Sequence, residues 1–312
     1  SAHEEIFGEH WNFNFNTKFV TFGRANLKFH GPDGRTHLYA YAGSQTWNGP
    51  AYFHQKVYAN NGNIIQRFKS GKRHIFTNYG SGIYRLTSVI DTSGNAITIQ
   101  RTGTNGRKIT TMTDELGRQF TFSYATFKNL DLVTSISDWA GRTWTFNYTQ
   151  STNNSDYRLL QTVETPSVLW INESDQEVTD EKTTTYAYTT NDQLSSVNNG
   201  RGITSGSISY GAQGRAQQMQ YGRRSLTYSY SPNDDKIMTA FDGKGASAVI
   251  TLAGSLLPKE ATISGAALDL SSSTNGALTT ANHTKEIVHN ANKEVVEHIF
   301  PLGNRLKMIR DA

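Results

Sequence analysis

Aromatic and apolar residues alternate with polar ones at every second position in several stretches: Trp11/Phe13/Phe15, Phe120/Phe122/Tyr124, Trp144/Phe146/Tyr148, Tyr186/Tyr188 and Leu226/Tyr228/Tyr230. Successive side chains of an extended backbone point to opposite sides, so period two marks a strand that buries one face. Short turns rich in Gly, Asn and Asp separate the stretches. The pattern predicts strands joined in series as antiparallel hairpins.

The hairpins repeat. Leu86 to Gly94, Ile109 to Gly117 and Val133 to Gly141 share one layout. Asp91, Asp114 and Asp138 stand 23 and then 24 residues apart, each followed three residues later by Gly94, Gly117 or Gly141. Such an Asp can hydrogen-bond its own backbone two residues on, and Gly accepts a positive φ without steric cost. Gly-Arg with a Tyr six residues after the Arg occurs at Arg35/Tyr41, Arg118/Tyr124, Arg142/Tyr148 and Arg215/Tyr221. The Arg can lay its stem along the aromatic row and stack over a neighbouring ring. The same phase continues at Thr165, Asn199, Tyr221, Asp242, Ser264, His289 and Asp311, in steps of 21 to 27 residues apart from one of 34. That longer step, Thr165 to Asn199, holds a polar insertion from Asn172 to Lys182.

The chain therefore reads as one repeat-built all-β domain over 1–312. Residues 1–83 are entry strands and imperfect repeats, 84–148 the best repeats, and 149–312 degenerate repeats with an insertion near 168–183. A row of hairpins with one aromatic face cannot lie flat in water, because its edges template aggregation and its apolar face needs cover. A continuous coiling sheet answers both needs. A β-propeller is the alternative, since two units make about 45 residues, near the length of one blade.

Composition narrows this further. At 312 residues the chain exceeds the usual size of one compact core unless the architecture is an extended repeat. Its hydrophobic fraction of 36% is thin, yet 15 Tyr and 15 Phe supply enough apolar surface to argue against disorder. A net charge of +4, with both signs interspersed, supports solubility more than a nucleic-acid surface. The absence of cysteine excludes disulfide staples and thiolate metal sites. No apolar run approaches the roughly 20 residues of a membrane-spanning helix, so no membrane insertion is expected. The opening Ser1-Ala2-His3-Glu4-Glu5 is neither a signal peptide nor an initiator Met, and reads as the start of a processed or internal segment.

Gly-Arg-x5-Tyr, a short turn, and an apolar pair ending in Asp-x-x-Gly-Arg together resemble the RHS or YD repeat. The likeness is best over 84–148, at Asp114 to Arg118 and Asp138 to Arg142. The opening Phe7-Gly8-Glu9-His10-Trp11-Asn12 is similar to the Phe-Gly-x-x-Trp stretch that begins such arrays. Residues 150–312 carry only degenerate forms. The resemblance implies a long sheet spiralling into a hollow shell that encloses or presents a cargo, as in Rhs polymorphic toxins, insecticidal toxin complexes and teneurin-like surface proteins. It implies a secreted or surface-displayed bacterial protein whose partners are the remainder of the shell or an enclosed toxin polypeptide. The Asp-Pro-x-Gly segment of self-cleaving members is not found, so self-cleavage is not expected of this chain. Open sheet edges make a homodimer a further expectation.

Candidate chemistry is sparse. Asp91, Asp114, Asp138, Asp242 and Asp311 are repeat-equivalent, whereas an acid–base pair needs two carboxyls converging on one pocket. No Gly-x-Ser-x-Gly elbow singles out a nucleophile, and Gly243-Lys-Gly245 is too short for a phosphate loop. The chain reads as non-catalytic and free of cofactors. His283, Glu286, His289 and His298 lack the spacing of a zinc-binding helix, and Asp91 to Asn95 and Asn233 to Asp235 lack a full calcium-ligand set. No metal is expected. The densest positive run, Arg67 to His74, makes Lys69, Lys72 and Arg73 candidate contacts for an anionic partner or glycan, with a plain hairpin tip as the other reading. Gly222-Arg223-Arg224 is a weaker case of the same kind. From this comes a second function class, a surface carbohydrate-binding or adhesion module, to which Trp47, Trp139 and Trp170 could add stacking faces.

Overall fold

The computed structural model describes residues 6–23, 25–50, 53–128, 130–171, 173–174, 176–201, 203–211, 213–221 and 224–230, and six strands beyond them. For Trp170, Asp180, Arg224 and the six strands after Tyr230 it describes the backbone alone. The first strands are β1 (Lys18–Phe22), β2 (Asn26–His30), β3 (Thr36–Gly43), β4 (Thr46–Asn48), β5 (Lys56–Asn60), β6 (Asn63–Arg67), β7 (Arg73–Asn78), β8 (Ile83–Ile90) and β9 (Ala96–Thr102). After a 3-10 turn (Thr104–Gly106) come β10 (Lys108–Thr113), β11 (Gln119–Phe127), β12 (Leu130–Ser137), β13 (Thr143–Gln150), β14 (Arg158–Glu164), β15 (Val168–Ile171), β16 (Glu177–Asp180), β17 (Thr183–Tyr188) and β18 (Leu194–Asn198). The last are β19 (Thr204–Tyr210), β20 (Ala216–Tyr221), β21 (Arg224–Tyr230), β22 (Ile237–Asp242), β23 (Ser247–Leu252), β24 (Pro258–Ser264), β25 (Asn282–His289), β26 (Val295–Ile299) and β27 (Arg305–Lys307).

The fold is all-β, built of serial antiparallel hairpins. Strands pair with their sequence neighbours in long ladders, not in four-stranded blades, and this sets the propeller aside. The chain forms two compact units, residues 1–194 with 198–203, and residues 195–197 with 204–312. The division falls within the 149–312 stretch that the sequence reading assigns to degenerate repeats of one domain.

In the first unit, β1 to β8 pair each with the next, and β8 returns to pair with β1. Ile83 to Arg85 of β8 face Lys18 to Val20 of β1, while Ser88 to Ile90 face β9. One strand thus closes a ring of eight and also starts the next ladder. Closure is driven by aromatics that a two-residue period sends to one side. Phe19 lies 4.9 Å from Phe29, 5.4 Å from Tyr39 and 4.8 Å from Phe76 between ring centroids. Phe19, Tyr39 and Phe76 are fully buried. Rings of this size each bury 150–250 Å², and tilted or edge-on contacts at these distances add about 0.5–1.5 kcal/mol per pair.

From β8 the ladder runs on through β9, β10, β11, β12, β13 and β14 to β17. The hairpin β15–β16 stands apart as a two-stranded sheet of its own, on the insertion near 168–183. A bulge recurs in alternate pairings, leaving Thr87, Thr110, Thr134 and Gln161 unopposed. Each bulge bends its strand and increases the local twist. In the second unit β19 to β27 form another antiparallel ladder, each paired with the next.

Candidate functional site

Asp114 and Asp138 sit at corners of identical construction. Each backbone N–H donates to the carbonyl of the Arg four residues on, and the intervening Gly117 or Gly141 N–H returns to the Asp carbonyl. Asp114 Oδ1 accepts from Leu116 and Arg118 N–H, and Asp138 Oδ1 from Ala140 and Arg142 N–H. The second oxygen takes Nε of Arg118 or Arg142 at 2.7 Å and Nη2 at 2.6 Å. Asp91 repeats the carboxylate clasp with Ser93 and Asn95, and Asn95 stands where the others have Arg. Gly117 and Gly141 have φ of 78° and 79°, a region that costs any residue with a Cβ. At Asp114 and Asp138 burial works against ionisation, but the Arg side-chain and backbone donors outweigh it and hold both carboxyls below their usual range. Arg118 and Arg142 both lie over Trp139, at 4.9 and 5.8 Å from its ring.

The repeat tyrosines reach back to the neighbouring strand of the ladder. Tyr124 Oη donates to the Ile109 carbonyl, Tyr148 Oη to that of Val133, and Tyr188 Oη to that of Leu160, at 2.6–2.9 Å. Each acceptor immediately precedes a bulged residue. Burial raises the Tyr124 and Tyr188 phenols to about 12 and pushes the Tyr148 phenol up as well. One unit departs from the rule. Fifteen residues after Leu86, the position of the tyrosine is held by Arg101, whose Nε donates to the Leu86 carbonyl at 2.9 Å.

Arg101 is buried, and its remaining donors go elsewhere: Nη2 to the Phe15 carbonyl at 2.6 Å, Nη1 to Asn16 Oδ1 and the Gly106 carbonyl. It clamps a strap. Residues 6–17 cross the aromatic face of the ladder, with Phe13 against Phe122, Phe7 against Phe146 and Trp11 against Tyr186. Val133 N–H donates to the Ile6 carbonyl, Glu9 N–H to the Arg158 carbonyl, and Trp11 Nε1 to Tyr188 Oη. Period-two patterning at Trp11/Phe13/Phe15 predicts a strand, whereas this segment has no strand pairing and serves as cover. Sequence reasoning missed Arg101; its only signal is an Arg at the tyrosine's repeat position.

Lys69, Lys72 and Arg73 lie exposed around the tip that joins β6 to β7. The tip is closed by Phe68 N–H to the Lys72 carbonyl and Gly71 N–H to the Phe68 carbonyl. Lys72 Nζ stands 5.9 Å over the Phe68 ring. Behind it, burial and then the Lys72 charge push His74 down to about 4. Trp47 is tied by Nε1 to the Ala25 carbonyl and packs edge-on against Tyr41. No group of three metal-ligating side chains occurs among the described residues. The side chains of His283, Glu286, His289, His298, Arg224, Asp242 and Trp170, and all of Gly222, Arg223, Asn233 to Asp235, Gly243 to Gly245 and Asp311, lie outside the described residues.

No family profile matches the chain, and no curated protein matches it. Among solved structures, it is similar to a TcdB2-TccC3-TEV chain with a TM-score of 0.39 and 11% identity, over 90% of this chain and 19% of that one. It is also similar to a chain of the Photorhabdus luminescens Tc holotoxin pore, with a TM-score of 0.26 and 11% identity, over 92% of this chain and 17% of that one. A porin-like protein from Bacteroides uniformis aligns over 88% of this chain and 96% of its own, at 13% identity and a TM-score of 0.25. The chain spans less than a fifth of the length of these toxin-complex chains.

Proposed function

We propose that this chain is a non-catalytic wall segment of an RHS-type β-shell in a secreted or surface-displayed bacterial protein, where it houses or presents a toxin or other cargo polypeptide. The observation that carries this reading is the strap. Residues 6–17 are a polypeptide without strand pairing, held across the wall by aromatic contacts and by hydrogen bonds to strand backbone. A wall that holds one such segment has the chemistry to hold others. Bulges recurring at one point of the repeat bend successive hairpins alike, which is what a sheet needs in order to wrap.

The experiment is a fusion. An unstructured, protease-sensitive polypeptide attached after Ala312 is exposed to dilute protease, alongside the same polypeptide on an unrelated β-protein. At least tenfold slower cleavage on this chain supports a housing role; equal rates refute it.

A further inference from the structure

Where the corner rhythm breaks between β14 and β17, the chain forms a cleft. Corners elsewhere span five residues, but here the arm β15–β16 intervenes. Its base is bolted by Thr165 N–H to the Lys182 carbonyl at 2.9 Å and Lys182 N–H to Thr165 Oγ1 at 3.1 Å. The cleft at that base encloses about 580 Å³ and is lined by Arg142, Trp144, Pro166, Lys182 and Arg201, with Thr165 and Val168 at its side. That volume falls in the range of small-molecule sites, roughly 300–1,000 Å³.

The three cations stand on constrained backbone. Arg142 is held by Asp138 through Nε and Nη2, so Nη1 is not used in that pair. Lys182 belongs to the bolted base. Arg201 rides on the corner that Asn199 closes, its N–H bonded to Asn199 Oδ1 and the Asn199 N–H to the Ile203 carbonyl. This corner is pressed onto the base: a Cβ at Gly200 would lie 2.7 Å from Lys182 Cα and 2.9 Å from Thr183 N. Glycine is needed there because no side chain fits. The carboxylates Glu164 and Glu181 line an adjoining cleft of about 350 Å³ that shares Arg142, Thr165 and Pro166, but not this one.

The charged and hydroxyl groups of the lining are chiefly donors, and the rest is apolar and flat. Cations and a hydroxyl ask for an acceptor-rich anion, with an Arg suited to a planar carboxylate. An indole and a proline ring ask for an apolar face to stack on, which a bare inorganic anion lacks. We propose that this cleft binds the hexuronic-acid unit of an acidic glycan, its carboxylate among Arg142, Lys182 and Arg201 and its C–H face on Trp144. The site is separate from Lys69, Lys72 and Arg73, and it does not depend on the wall reading.

Titration calorimetry of the whole chain at physiological salt, with a glucuronate-containing tetrasaccharide, tests it. Saturable binding at one site per chain is expected. It should weaken at least tenfold in Lys182→Ala, Arg201→Ala and Trp144→Ala, and in the uronate methyl ester. Gly200→Ala, which forces the corner off the arm, should weaken binding while the circular dichroism of the chain stays β-rich. Four results overturn the proposal: no saturable binding, equal binding of the ester, equal binding of inorganic sulfate, or loss of binding in Lys69/Lys72/Arg73 variants instead.

Discussion

The Tyr124 hydroxyl takes both hydrogen bonds of Ile109, donating to its carbonyl and accepting from its N–H at 2.9 Å each. Beside Ile109, Thr110 bulges out of the β9–β10 pairing, and Ile109 itself lies beyond the three residue pairs that join β10 to β11. A phenol thus does the work of a missing strand partner. Buried backbone groups are almost always paired, and one left unpaired costs about 1–3 kcal/mol.

Tyr124→Phe should therefore destabilise the chain by about 1–3 kcal/mol, since it strands a donor and an acceptor together. Tyr188→Phe, which removes both the donor to Leu160 and the acceptor of Trp11 Nε1, should cost about as much as Tyr124→Phe, whereas Tyr148→Phe, in which a donor to one carbonyl is lost, should cost about 0.5–1.5 kcal/mol. Urea unfolding curves with unchanged slopes would check the order. Equal losses at all three sites would contradict it.

Alkaline pH should act on the same groups. Phenols raised by burial stay neutral in the folded chain at pH values where the unfolded chain ionises. The unfolded state then holds fewer protons, so stability declines as pH rises above about 10. Thermal melts between pH 8 and 11 should show this decline, and it should be shallower in Tyr124→Phe.

Arg101→Tyr restores the residue that the repeat places elsewhere. Its hydroxyl should keep the contact to Leu86 while losing those to Phe15 and Asn16. Hydrogen exchange should quicken at residues 13–17 and stay slow in β8 and β9. Slow exchange throughout would show that the aromatic contacts hold the strap without the clamp.

His74 makes an acid-side prediction. Its Nε2 is buried with no hydrogen-bond partner, and its proton affinity is pushed down to about 4. Between pH 6.5 and 4 the unfolded chain binds the proton and the folded chain does not, so stability should fall on acidification through that window. After allowance for partial exposure the loss is on the order of 1–2 kcal/mol. His74→Phe should remove this step. The corner carboxyls, held below their usual range, lose their contribution only under about pH 4, so the two effects separate.

At the corners, Asp138→Asn keeps the Oδ1 acceptor and should lower the melting temperature less than Asp138→Ala, which takes that acceptor from the Ala140 and Arg142 N–H groups. Asp114, whose side chain is 28% exposed against 0% for Asp138, should tolerate the same change better. Gly141→Ala, forced to φ near 79°, should cost about 1–2 kcal/mol.

Strand character and turn chemistry were readable from residues alone, because both are local. Phe120, Phe122 and Tyr124 alternate whatever their neighbours do, and an Asp four residues before an Arg can close a corner within its own pentapeptide. Even so, the same backbone corner forms at Gly31, Phe68, Thr189 and Gly211 with no Asp at its first position, since the N–H and carbonyl four residues apart suffice. The bulges were not readable, because a bulge is defined only against the strand opposite. Nor was the ring closure: Lys18 to Val20 and Ile83 to Arg85 meet across more than sixty residues, and no local pattern encodes which edge an edge will find. Arg101 and the cleft lie beyond the sequence for the same reason. A strap carbonyl, an arm base and a remote corner become partners only when the sheet bends, and that curvature is a property of the paired strands together.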